Sequence, residues 1–286
     1  MTRRQLLALA AAPSLDAAPI IDTHIHLWEP AKFPFHKDAT YAPPPEPLEP
    51  YIAFIKAAGI HHAVVVHPEP YQDDHAYLWH CLHQPMLKGT LLLDPIDPRT
   101  PSRMRGMVKE HPDRLVALRI HAMNGPTEPP LRSGPIKNRD LRDPAVARCW
   151  RTAADLGLAI QMHFVPSQAE AIGALCQAFP GVTVVLDHMG RTGTTAGGLD
   201  GVLALAKHPK TIFKYSGWSY FSTPVQPVVK RAYEAFGPER IVWGGLGMNA
   251  AEYAKNKVLF AEHWAFVSAA DQAKIRGRNA ARIYKF

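Results

Sequence analysis

From Ile20 onward, short runs of valine, isoleucine and leucine alternate with longer amphipathic segments. The runs are continuously apolar rather than alternating, the pattern of strands covered on both faces. They predict strands at 20–25, 62–67, 89–93, 115–120, 158–163, 182–187, 211–215 and 240–244. Between them, apolar residues spaced three and four apart predict helices near 48–58, 74–84, 101–111, 144–156, 168–179, 199–207, 225–236 and 252–267, with a further helix over 271–285. Ser167 followed by Glu170 reads as a capping box opening the fifth helix, and Gly59, Gly157 and Gly181 punctuate helix ends.

Eight strands alternating with eight helices give the rhythm of an α/β (β/α)8 TIM barrel, a single domain over residues 20–286. The competing doubly wound sheet would carry a glycine-rich phosphate loop after its first strand. Here the first strand runs into His24-Ile25-His26 instead, and the barrel is preferred. The long loops at 27–47, 121–142, 189–198 and 217–224 all follow strands. They therefore gather at the carboxyl end of the barrel, where such folds build their sites.

Composition narrows the partners. The chain has 286 residues, 47% of them hydrophobic, enough for a full core. Its 32 Lys+Arg against 25 Asp+Glu are scattered without basic blocks, which argues for a small-molecule substrate and against nucleic acid. No run approaches the roughly 20 apolar residues of a membrane span. Cys81, Cys149 and Cys176 form no Cys-x-x-Cys pair and read as small thiols buried in helices. Thr2-Arg3-Arg4-Gln5-Leu6-Leu7, leading into the apolar stretch to Ala12, reads as a twin-arginine export signal within residues 1–19. The other reading of this stretch is a frayed extension of a cytoplasmic protein.

The chemistry lies at the strand ends. In order they carry His24 and His26, His67 with Glu69, Asp94, Arg119 with His121, His163, His188, Ser216 and, just beyond the last strand, Asn249. Packing gives no reason to ring a barrel with imidazoles, each of which must be desolvated and paired. A His-x-His pair on one strand points both rings to one face. With His163 it offers three nitrogen ligands, enough for a divalent ion with an open water position. Such an ion lowers the pKa of its water to about 7 and polarises a carbonyl. His188, on the next strand, would stand beside it as acid or base.

The strings Ile-Asp-Thr-His-Ile-His-Leu-Trp from Ile21, Leu-Asp-His-Met-Gly-Arg from Leu186 and Lys-Tyr-Ser-Gly from Lys214, together with His163, resemble the amidohydrolase superfamily. The similarity runs from Ile20 to the closing Gly-Arg-Asn-Ala-Ala-Arg-Ile-Tyr and is greatest to the amidohydrolase-2 branch of lactonases and decarboxylases. Tyr41-Ala-Pro-Pro-Pro and Val-His-Pro-Glu-Pro-Tyr from Val66 resemble loops of 2-pyrone-4,6-dicarboxylate lactonase-like and fuconolactonase-like members.

What the resemblance implies is hydrolysis of a lactone or related cyclic carbonyl compound. It also implies one divalent metal, zinc or manganese, on His24, His26 and His163, or alternatively metal-free activation of water. Arg119 matches an anion-binding arginine and Asn249 a polar position of these relatives; Tyr41, His121 and Ser216 complete the candidate substrate contacts. The family carries a general-base aspartate after strand 8. Here Trp243-Gly244-Gly245-Leu246 fills that stretch. With the aspartate gone, Glu69, His163 and His188 are the candidate catalytic groups, Glu69 being preferred to Asp94 as the replacement carboxylate. The alternative reading is a barrel that binds a carboxylated molecule or metal without turning it over.

Overall fold

Eight apolar strands with no polar face can only be satisfied by cover on both sides, and the chain provides it with one helix after each strand. In the computed structural model, which describes residues 18–39, 41–123, 139–193, 197–246 and 249–286, the order is β1 (Ile21–Ile25), α1 (Leu48–Ala57), β2 (His62–Val66), α2 (Ala76–Cys81), β3 (Leu87–Leu92), α3 (Thr100–Glu110), β4 (Leu115–Ala122) and α4 (Pro144–Leu156). The second half repeats it with β5 (Ala159–Phe164), α5 (Ala169–Ala178), β6 (Val184–Leu186), α6 (Leu199–Ala204), β7 (Thr211–Tyr215), α7 (Val225–Phe236), β8 (Ile241–Trp243) and α8 (Ala250–His263). The strands pair in parallel in sequence order, β1 through β8. This is the (β/α)8 barrel that the sequence predicts. At the seam between β8 and β1, Thr23 Oγ1 donates to Trp243 O at 2.7 Å and the amide of Leu246 donates to His24 O at 3.3 Å.

Local signals set the helix ends. Asp143 caps α4 by accepting from the amide of Ala145, Pro144 supplies the first turn, and Gly157 closes the helix at φ 68°. Other expectations need correcting. Ser167 belongs to a short 3-10 turn, Pro166–Gln168, and α5 starts after it without a side-chain cap, so the capping box with Glu170 does not form. The helix expected over 271–285 is divided into α9 (Ala269–Ala273), a π turn (Lys274–Arg278) and α10 (Asn279–Tyr284). The division falls where the backbone of Pro19 crosses the helix: a Cβ at Gly277 would lie 1.5 Å from Pro19 O. Cys81, Cys149 and Cys176 are buried free thiols, as expected. The twin-arginine segment lies outside the described residues. Among the described residues, no helix is long and apolar enough to cross a membrane.

The barrel interior is layered. At its lower end Val64, Val66, Ala117, Ala159, Val185, Ile212 and Val242 form an apolar cluster with Ala280 and Tyr284 of α10. Lys88 fixes that helix from below by donating to Tyr284 O at 3.1 Å and Lys285 O at 2.8 Å. Side chains repeat every second residue along a strand. Two positions above Ala117, Ala159, Val185 and Ile212 therefore stand Arg119, Gln161, Asp187 and Lys214. Two positions higher again come His121, His163 and Ser216. The interior thus passes from apolar to charged to imidazole-rich toward the carboxyl end.

Candidate active site

Asp187 is the centre of the charged layer, and it is fully buried. Its Oδ2 accepts from Arg119 Nε at 3.0 Å and from Gln161 Nε2 at 3.0 Å. Its Oδ1 faces Lys214 Nζ at 3.0 Å and His24 Nδ1 at 3.7 Å. Burial alone would push this carboxyl up, but the charges of Lys214 and Arg119 outweigh it and hold Asp187 well below the usual carboxylate range. Lys214, itself fully buried, also donates to Thr23 O at 3.1 Å.

The imidazoles stand around this charge cluster. The rings of His24 and His188 have centroids 4.5 Å apart, His163 and His188 5.2 Å, and His121 and His163 5.0 Å. His24 Nε2 and His26 Nε2 are 3.3 Å apart. His26 donates from Nδ1 to Val66 O at 2.7 Å, so its Nε2 is the unprotonated nitrogen and faces His24. Burial pushes His26 and His188 down to about 3 and holds His24, His121 and His163 well below 6.5, so these rings are neutral. In all five, the carboxylate that opposes the shift is Asp187.

His188 sits on a strained segment. His188, Met189, Gly190 and Arg191 all have positive φ, at 53°, 54°, 62° and 50°. A left-handed residue other than glycine costs roughly 1–2 kcal/mol, and such strain persists where surrounding structure holds it for function. The turn brings His188 Nδ1 to 3.0 Å from Ser216 Oγ. Gly217, at φ 68°, allows the approach, since a Cβ there would lie 2.8 Å from His188 Nδ1. At the mouth, Tyr220 meets His188 edge-on at 5.4 Å and lies under the Arg191 guanidinium at 4.4 Å. Tyr41 is 47% exposed, with the charge of Arg119 and the phenol of Tyr220 acting on it.

The expected residues therefore separate. His24, His26, Arg119, His121, His163, His188 and Ser216 come together. His67 turns instead to the loop after β2, donating to Gln72 O at 2.9 Å and stacking on His75 at 4.2 Å. Glu69 is buried on that same loop, in a 3-10 turn (Glu69–Tyr71). Asp94 binds Arg139, with Oδ2 2.6 Å from Nη2. Asn249 is exposed and caps α8, accepting from the amide of Glu252 at 3.0 Å. Asp187, Lys214, Gln161 and Arg191 were not singled out from sequence. A lone lysine in the apolar strand Thr-Ile-Phe-Lys-Tyr, two residues before Ser216, was the signal for Lys214.

The donor set can be tested against a divalent ion. Among the described residues, the group whose ligand atoms lie mutually within 4.8 Å is His24, Asp187 and His188, rather than His24, His26 and His163. His163 Nε2 is approached by Arg191 Nη1 at 3.5 Å. Both oxygens of Asp187 already face cations at 3.0 Å, and the imidazoles bring no negative charge. A metal-type cluster is present, but the lysine and arginine held against its one carboxylate do not fit a resident dication.

Buried polar atoms without partners point to a bound polar molecule. Among the described residues, both ring nitrogens of His121, together with Nδ1 of His163, have no hydrogen-bond partner. The chain is 27% identical to a 4-sulfomuconolactone hydrolase of Rhizobium radiobacter over 242 residues, 78% of this chain and 73% of the relative. It is 23% identical to an L-fucono-1,5-lactonase of Burkholderia ambifaria, covering 78% of each. Among solved structures, an amidohydrolase from Burkholderia multivorans with bound zinc has the same fold, with a TM-score of 0.71 and 19% identity over 94% of this chain and 100% of that one. The amidohydrolase family model matches residues 21–286, essentially the whole barrel, and the chain belongs to that family.

Proposed function

We propose that the protein hydrolyses a lactone bearing an anionic group, by adding water to the ring carbonyl. The observation that carries this reading is the ring of neutral, partly unpartnered imidazoles set over fixed cations, in a chain whose curated relatives are lactone hydrolases. Arg119, Tyr41 and Arg191 hold the substrate's anionic group, and His121 and His163 bond its remaining oxygens. His188, positioned by Ser216, takes a proton from water as the water oxygen bonds to the carbonyl carbon. It then returns that proton to the ring oxygen as the carbon–oxygen bond breaks, leaving a hydroxy acid. Burial makes His188 a weak base; the charge of Asp187 raises it, and an arriving anion raises it further.

Ring opening near neutral pH releases one proton, so a pH-indicator assay with a panel of carboxylated and sulfonated lactones reads it directly. His188→Gln is expected to lower kcat by about 10²–10⁴-fold. Arg119→Met is expected to act mainly through KM. Absence of turnover across the panel, or an unchanged kcat in His188→Gln, overturns the reading. Leu246, in the place of the family's base, favours a second reading in which the barrel binds such anions without turning them over. That reading expects saturable binding with no proton release.

A further inference from the structure

We propose that Lys214 is the resident cation of this site, standing where a divalent metal would otherwise sit and keeping the His24–Asp187–His188 cluster free of one. The ligand atoms of these three residues lie within 4.8 Å of one another, the spacing from which a small inward adjustment gives metal coordination. The Lys214 ammonium, however, is 3.0 Å from Asp187 Oδ1 and 3.1 Å from Thr23 O, with its side chain fully buried. It is carried on the rigid strand β7, so it is not a surface side chain that can swing aside. Arg119 holds the other carboxylate oxygen at 3.0 Å.

The charge of the cluster explains the exclusion. Asp187 contributes one negative charge against the two positive charges of Lys214 and Arg119 that contact it, and the surrounding rings are neutral; the nearby Asp22 is turned to the amides of His24 and Gly245. A dication would meet a group that is already net positive, in a buried interior where screening is weak. Position 246, whose amide bonds His24 O, carries a leucine rather than a second carboxylate that would rebalance it. The ammonium then does two things that a metal does elsewhere: it keeps Asp187 ionised and supplies fixed positive charge beneath the imidazoles. The inference concerns the site proposed above but does not need the lactone reading, because its readout is metal affinity in the absence of substrate.

The test uses the full chain, purified from zinc-supplemented medium, with metal content by elemental analysis and Zn²⁺ affinity by titration calorimetry at neutral pH. The wild type is expected to lose its zinc on desalting. Lys214→Met is expected to bind one equivalent at least roughly tenfold more tightly, in line with the 10–100-fold influence of groups that flank metal ligands. Adding His24→Ala to that variant should abolish the gain and tie it to this cluster. If Lys214→Met does not fold, Lys214→Gln, which keeps a donor for Thr23 O and Asp187, serves the same comparison. Stoichiometric zinc retained by the wild type, or no gain in the folded variant, overturns the proposal.

Discussion

Acid should unfold this protein earlier than its size suggests, and the extent follows from its buried rings. Seven histidines, His24, His26, His67, His75, His121, His163 and His188, are buried with their pKa values depressed by desolvation. In the unfolded chain each returns to about 6.5 and takes up a proton as the pH falls below that value. The unfolded state then binds more protons than the folded one, so stability is full above about pH 7 and falls as the pH drops. Between pH 7.5 and 5.5 the seven rings together forfeit roughly 10 kcal/mol. Asp22 opposes this. Burial pushes it up to about 7, against the amides of His24 and Gly245 that hold it down. Its folded state binds the extra proton in this window, which returns about 2 kcal/mol. The net loss of about 8 kcal/mol rivals the whole stability of a typical domain, 5–15 kcal/mol. Urea unfolding at pH 7.5, 6.5 and 5.5 measures it, and calorimetry in buffers of different ionisation enthalpy counts the protons. A loss below about 3 kcal/mol over that range, or an uptake of fewer than two protons at pH 5.5, would refute neutral burial of these rings.

Two further outcomes test the strained segments. Gly190→Ala should destabilise by about 2–5 kcal/mol in urea unfolding, through left-handed strain and overpacking. Its added Cβ would lie 2.8 Å from both Val202 methyls and 3.1 Å from Phe164 Cζ at φ 62°, and a loss under 1 kcal/mol would show that the turn relaxes at about no cost. Leu246 holds φ 54°, a conformation aspartate accepts more readily than leucine, beside His24. Leu246→Asp should therefore raise lactone turnover at least tenfold, given the roughly 10²–10⁴-fold worth of a positioned base, and a change below about twofold would mean that the imidazoles already carry the proton.

The barrel was legible because its strands are apolar throughout and end in residues that do not belong in a core. His24, His163 and His188 announced the site for that reason. Asp187 and Lys214 were harder to place, since an aspartate before a histidine and a lysine in a strand carry no sign of being each other's partner across two strands. Glu69 follows a strand as expected, and its backbone enters a buried 3-10 turn that no pattern in Val-His-Pro-Glu-Pro-Tyr announces. The last helix is split at the turn where Pro19 packs on Gly277, a contact distant in sequence that no local pattern encodes.

The lower end of the barrel is sealed by Ala280 and Tyr284 against the valines of the strands, with Lys88 fastening the helix that carries them. A vessel stoppered at its base is entered, among the described residues, from its carboxyl end, where Tyr41 and Tyr220 are exposed. On the lactonase reading, substrate and product would share that end, and a departing acid would have to clear the rim before the next molecule enters. Traffic through those two aromatic side chains, rather than bond breaking, then becomes a natural place for turnover to be throttled.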